Sequence, residues 1–153
     1  MDKGTNGTGT GTGPLVLVLC TGNSCRSQMA EAVLRRVVGG RVVVASAGSK
    51  PSGFVHETAR EVMLEAGYDL NGARSKPLEE FLHCRVETVI TVCGRADQVC
   101  PTFPGQQRRY HWSFDDPADA AGSKEEVKAE FRRVRDEIVK VFTAYGHGLS
   151  EGR

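Results

Sequence analysis

The chain of 153 residues contains no run of 18 or more apolar residues, so no membrane-spanning helix is expected. No apolar stretch follows a basic N-terminal region. A secretory leader is therefore not expected, and the cytoplasm is the default location. There is no excess of one charge either, since 20 Lys and Arg stand against 19 Asp and Glu. This near balance argues against bulk electrostatic attraction to nucleic acid or to an anionic membrane, so any anion specificity must be local. An even set of cysteines is also missing. The five are Cys20, Cys25, Cys84, Cys93 and Cys100. An odd number, in a chain without a leader, argues against a structural disulfide framework and toward catalytic or redox thiols. Zinc spacing is absent as well. The cysteines fall as C-x4-C and C-x6-C with no His placed as a ligand, so no metal is expected.

What is present reads as one domain. Residues 1–13, MDKGTNGTGTGTG, hold nothing to bury and are expected to form a disordered Gly/Thr tail. Residues 14–146 are assigned to a single domain, and 147–153 to a flexible C-terminal tail. The apolar run LVLVLC at 15–20 suits a strand buried on both faces. A helix is expected over 28–38, stopped by Gly39-Gly40, and then a second strand over 41–46. A helix over 56–66 ends at Gly67, and Pro77 opens a short helical segment. VETVITV at 86–92 reads as a third strand, with a short fourth strand around 110–112. The spacing of Val127, Phe131, Val134, Ile138, Val141 and Phe142 predicts a long helix over 124–145. Strands alternating with helices imply βαβ units, hence an α/β fold with a four-stranded parallel sheet flanked by helices on both faces. In such sheets ligands bind at the carboxyl ends of the strands. Cys20 and Cys93 both end predicted central strands, so they could meet despite 73 residues of separation. No helix is apolar all round, and a monomer is expected.

The segment CTGNSCRS, residues 20–27, leaves a buried strand and enters a helix. Amides at such a turn are unpaired, and the helix N-terminus adds positive potential. Arg26 adds a planar fork for two oxygens of a tetrahedral anion. Together these make a small oxyanion cradle with Cys20 at its base. The same field is expected to lower the thiol pKa and favour the thiolate. Ser27 can hydrogen-bond that sulfur, and Asn23 suits a left-handed backbone. Cys25 and Cys84 are read as packing residues. His56, His83 and His147 are read as surface residues. His111 and Trp112 are read as positioning the following acidic loop, and Asp115 as a solvated or capping acid.

The spacing C-x5-R-S resembles the active-site loop of low-molecular-weight protein tyrosine phosphatases. CTGNSCRSQMAE further resembles the loop of thioredoxin-coupled arsenate reductases built on that fold, with Gln28 where phosphatases usually carry Pro. TVCGRADQVCP at 91–101 and HWSFDDPA at 111–118 match in the same order and spacing. The resemblance spans residues 15 to about 145. It implies the three-layer phosphatase-like sandwich and an arsenate reductase acting in arsenic detoxification, with no bound cofactor and electrons from thioredoxin. By the resemblance, Cys20 is the nucleophile on arsenate. Thr21, Gly22, Asn23, Ser24, Cys25, Arg26 and Ser27 bind the oxyanion, and Asp116, directly before Pro117, is the general acid. Cys93 then attacks Cys20 and arsenite leaves. Cys100 attacks Cys93, giving a Cys93–Cys100 disulfide for thioredoxin to reduce. That pairing requires the segment between them to loop out.

The resemblance also brings a cation pocket. Asn23, Glu31 and Ser46 match three of its positions, but Lys76 stands where an Asp belongs, and its ammonium could replace a potassium ion outright. Two rival readings remain at this level. A phosphatase would need Cys20, Arg26 and Asp116 but neither Cys93 nor Cys100, and it survives as a weak side activity. A thiol sensor or arsenite-binding module would not need Arg26 and Asp116 beside the thiol.

Overall fold

The structure is a computed structural model and describes residues 14–151. The expected Gly/Thr tail at 1–13 lies outside the described residues. The sheet has four parallel strands in the order β2-β1-β3-β4. They are β1 (Leu15–Cys20), β2 (Val43–Gly48), β3 (Thr88–Thr91) and β4 (Arg108–His111). The helices are α1 (Arg26–Val38), α2 (Glu57–Glu65), α3 (Gly94–Val99) and α4 (Lys124–Glu151), with short 3-10 turns at Leu78–Phe81 and Pro117–Asp119. This is the α/β architecture with a four-stranded parallel sheet that the alternating pattern implies.

β1 is the central strand, and Val16 to Leu19 are fully buried. Its register sets the length of its neighbours. Leu15 to Cys20 pair one-to-one with Val43 to Gly48, so β2 runs two residues later than its apolar run suggests. β1 pairs with β3 only from Val16 to Leu19, and this trims the expected 86–92 strand to four residues. The chain leaves β1 toward β2 on one side and later returns to pair β3 on the other. That reversal opens a crevice at the carboxyl ends of β1 and β3. Cys20 ends the first strand, and Cys93 lies two residues beyond the second.

α4 packs its Phe131, Val134, Ile138 and Phe142 stripe inward, each fully buried. The helix does not stop near 145. It continues to Glu151, which corrects the expected flexible tail for 147–151; residues 152–153 lie outside the described residues. Gly146 allows the continuation. A Cβ there would stand 2.7 Å from Val37 Cγ1, so the bare backbone lets α4 approach α1 closely. Leu149, one turn on, still packs against the core.

Gly48 does a comparable job beside the crevice. A Cβ there would lie 2.5 Å from the Thr21 carbonyl oxygen and 3.1 Å from Asn23. Backbone cannot yield as a side chain can, so Gly48→Ala should lower unfolding free energy by about 1–3 kcal/mol. Gly40→Ala, with nothing within 4 Å of its Cβ, should cost nothing. Urea denaturation of the two variants checks this, and equal midpoints would show that the loop over Gly48 gives way freely.

Candidate active site

α1 begins at Arg26, two residues earlier than the periodicity predicts, because Met29 N already donates to Cys25 O at 2.9 Å. The turn between Cys20 and the helix is therefore only five residues long, Thr21 to Cys25. Its carbonyls are drawn outward. Ser49 N donates to Cys20 O, Lys50 N to Thr21 O, Ser52 N to Gly22 O and His56 N to Ser24 O, all within 3.2 Å. Engaging the carbonyls outside leaves the inner side of the turn to N–H donors. Cys25, at the N-cap of α1, makes no side-chain capping bond.

Asn23 holds this turn, and every polar atom of its side chain is used. Its backbone sits at φ 49°, the left-handed region. Its amide nitrogen donates to Ser27 Oγ at 2.8 Å and Ser46 Oγ at 3.0 Å. Its amide oxygen accepts from Lys76 N at 3.0 Å and from Gln28 Nε2 at 3.0 Å. Its backbone N–H points at Cys20 Sγ, 3.2 Å away. Ser27, accepting from Asn23, has its own proton for Cys20 Sγ at 2.8 Å. Gln28, where the phosphatase pattern has Pro, also bonds Asn23 O at 3.1 Å and Arg74 O at 2.9 Å. The residue that departs from the phosphatase pattern thus braces the loop from behind.

Arg26 faces the acidic loop. Its Nη1 donates to Phe114 O at 3.0 Å and its Nη2 pairs with Asp116 Oδ2 at 3.2 Å. Its Nε is buried without a hydrogen-bond partner. Asp116 also caps the turn at Pro117 by accepting from Ala118 N at 3.0 Å. Asp115 points away and pairs with Arg133 at 2.9 Å. His111 bonds Thr91 Oγ1 at 2.8 Å, and Trp112 packs against Tyr110, Phe142 and Tyr145. Both therefore position the acidic loop. His56, expected at the surface, instead caps α2 by accepting from Thr58 N and packs its ring 4.8 Å from that of Phe131. The N-cap position and the fold of α4 over it explain the difference.

Cys93 is 5% exposed, and its Sγ lies 3.2 Å from Thr21 Oγ1. The contact spans 72 residues, and it brings Cys93 to the loop at the carboxyl ends of β1 and β3, where the strand order places both cysteines. Cys100 is half-buried at the far end of α3, with Sγ 3.4 Å from Pro101 O. Burial raises its thiol pKa, with Arg109 opposing and Asp97 adding to the rise. Cys25 is pushed up to about 12 by burial and then by the Asp116 charge, which fits a packing role. Cys84 is half-buried, against Glu80 O at 3.8 Å.

The expected thiolate at Cys20 is not what the geometry favours. Burial raises the thiol above its ordinary value, against the hydrogen bonds from Ser27, the Arg26 charge and the Asn23 amide. Behind the loop lies a second buried set. Ser46 Oγ donates to Glu31 Oε1 at 2.6 Å, and Arg35 pairs with Glu31 at 2.7 Å. Lys76, 1% exposed, donates from Nζ to Arg74 O at 3.0 Å. Burial raises the Glu31 pKa and lowers that of Lys76, while each charge supports the other. A cavity of about 220 Å³ opens beside this set, lined by Gln28, Glu31, Arg35, Asp69 and Arg74 among others, on the side away from Cys20. Among the described residues no group of His, Cys, Asp or Glu is arranged to hold a metal ion, and no helix is long and apolar enough to cross a membrane.

A thiol pKa above the ordinary range has a pH signature. Below it, the thiolate fraction rises about tenfold per pH unit. Iodoacetamide labelling of Cys20, followed by peptide mass spectrometry on the ligand-free protein, should climb at that slope from pH 6.5 to 8.5. A plateau below pH 7 would show a thiolate at neutral pH.

The low molecular weight phosphotyrosine protein phosphatase profile matches residues 15–152. An arsenate reductase of Halalkalibacterium halodurans is 44% identical over 135 residues, covering 86% of this chain and 96% of that protein. A solved arsenate reductase in its phosphate-binding state superposes with a TM-score of 0.74 at 32% identity, covering 87% of this chain and 96% of its own. A thioredoxin-dependent arsenate reductase of Corynebacterium glutamicum superposes at 0.58 with 30% identity, over 87% of this chain and 63% of that one. With a strand–loop–helix thiol cradle in place and a match over nearly the whole described chain, this protein belongs to the low molecular weight phosphotyrosine protein phosphatase family, beside its arsenate reductases.

Proposed function

We propose that this chain reduces arsenate to arsenite by a three-thiol relay. The observation that carries the reading is the contact of Cys93 Sγ with Thr21 Oγ1, which puts a second thiol against the loop that begins at Cys20. A phosphatase needs only water to release its intermediate, and a buried thiol beside the loop adds nothing to hydrolysis.

Arsenate enters against the inner amides and Arg26 Nε. Its charge competes with Asp116 for Arg26, which frees the carboxylate to take the Cys20 proton and hand it to the departing oxygen. Cys20 bonds to arsenic as that oxygen leaves as water. Cys93 then attacks Cys20 Sγ. A Cys20–Cys93 disulfide forms, and the As–S electron pair stays with arsenic, which leaves as arsenite. Cys100 attacks Cys93 Sγ, and Cys20 departs as thiolate. The Cys93–Cys100 disulfide passes to thioredoxin by exchange. The thioredoxin-dependent neighbour supports that donor. No bound cofactor takes part. The same Cys20, Arg26 and Asp116 set favours a weak aryl phosphatase activity.

We further propose that Lys76, sealed against Glu31 behind the loop, supplies the positive charge a bound cation would bring. Exchanging sodium for potassium should leave catalytic efficiency unchanged, and a several-fold rise with potassium would overturn this role.

NADPH oxidation with arsenate, thioredoxin and thioredoxin reductase tests the relay. Wild type should turn over, while Cys93→Ser and Cys100→Ser should stop after one adduct or one oxidation. A wild type silent with arsenate but active on p-nitrophenyl phosphate, with the serine variants equally active, would make the protein a phosphatase.

A further inference from the structure

We propose that Arg109, acting through Asp97, is a latch that keeps α3 wound and so holds Cys100 away from Cys93. Arg109 is then a positioning residue for the second thiol step. The inference rests on the relay proposed above.

α3 has six residues, with Cys93 as its N-cap and Cys100 as its C-cap. Seven residues of helical rise put the two Cα atoms about 10 Å apart. A disulfide needs roughly 4.4–6.8 Å. When the Cys100 thiolate attacks Cys93 Sγ in the Cys20–Cys93 disulfide, the new S–S bond forms as the old one breaks and Cys20 leaves with the electron pair. That exchange cannot occur across an intact α3. The helix must unwind first, and whatever holds it wound sets when Cys100 arrives.

Little within α3 does so. A helix this short leaves most of its carbonyls without partners. Asp97 N donates to Cys93 O at 3.2 Å. Ala96 is buried, but Val99 is 57% exposed, so the apolar anchor is a single methyl group. The hold comes from neighbouring strands. From β4, Arg109 Nη2 donates to Asp97 O at 2.7 Å and to Asp97 Oδ1 at 3.3 Å, and Nη1 donates to Cys100 O at 3.4 Å. From β3, Thr91 Oγ1 donates to Asp97 Oδ1 at 3.1 Å. One guanidinium thus grips the last turn of α3 and the cysteine that follows it. The fork also supplies donors to carbonyls at the helix C-terminus, where positive charge is favoured. Burial alone would raise the Asp97 pKa. The bonds from Thr91 and Arg109 and the nearby His111 and Arg109 charges reverse this and keep the carboxylate ionised for the grip.

The grip exists only while α3 is wound, so it stabilises the dithiol over the Cys93–Cys100 disulfide. Removing it should favour the disulfide. The test is an equilibrium titration in dithiothreitol redox buffers, read by differential alkylation and peptide mapping. It is run in a Cys20→Ser background so that Cys93 has one partner. Arg109→Ala should shift the Cys93–Cys100 equilibrium about tenfold toward the disulfide, a potential about 30 mV more negative. Amide exchange over 94–99 in the reduced protein should quicken by a similar factor. Arg109→Lys, which keeps the charge but loses the fork, should recover part of both effects. Arg108→Ala is the control, since Arg108 lies on the same strand but faces Glu87 at 3.9 Å. It should shift neither readout. An unchanged or less negative potential in Arg109→Ala would overturn the latch, as would an equal shift in Arg108→Ala. Failure of the Cys93–Cys100 disulfide to form in any of these proteins would instead overturn the relay, and the latch with it.

Discussion

Asn23 keeps a strained backbone because its side chain is fully satisfied inside the protein. A non-glycine residue in the left-handed region costs on the order of 1 kcal/mol or more. Four side-chain hydrogen bonds, all buried, offset that cost. The four bonds reach three parts of the molecule. Ser27 is in the first turn of α1, Ser46 is on β2, Gln28 is on the hidden face of α1, and Lys76 sits in the connection that bridges to Gly48. The shape of the oxyanion turn is thus decided by the packing of three separate segments. Loss of any one bond would leave Asn23 Nδ2 or Oδ1 with one partner instead of two. Gly48 belongs to the same arrangement from the other side, since only a bare backbone fits beneath Thr21 and Asn23.

The cradle is held closed on itself. Arg26 is clamped to Phe114 O and to Asp116, so the positive charge meant for an anion is spent on the acidic loop. Burial pushes the Cys20 thiol up, although the Ser27 and Asn23 bonds and the Arg26 charge oppose the rise. In the proposed relay, arsenate changes both conditions together, because it competes with Asp116 for Arg26 and leaves the carboxylate beside the departing oxygen. The neighbouring thiols are sorted by environment. Cys25 is shut away at a pKa of about 12, Cys93 touches the loop through Thr21, and Cys100 waits one short helix away.

Much of the fold was legible because the signals were local. LVLVLC marks a doubly buried strand, the Gly39-Gly40 and Gly67 stops end their helices, and the 3-4 spacing of α4 marks its apolar face. The strand limits were not legible, because pairing to β1 sets them. The end of α4 was not legible either, since polar-looking GHGLS continues the helix only because Gly146 nestles against Val37 and Leu34. Around the site, Cys20, Arg26 and Asp116 were legible as a spaced pattern. The bond from Gln28 to Arg74, the ring packing of His56 and the grip of Arg109 were not. Each depends on a partner far away in the chain, at Arg74, Phe131 and Asp97.

The sequence by itself determined the βαβ order, the thiol at the end of the central strand and the Arg six residues beyond it, because strand burial, helix stops and loop length are properties of neighbouring residues. Tertiary structure alone decided that Cys93 meets Thr21, that Arg26 rests on Asp116, and that burial pushes the Cys20 thiol up. Those outcomes depend on which groups desolvate one another across a sheet edge. Desolvation and charge pairing act through space, between residues as many as 90 positions apart, and no local pattern encodes that distance.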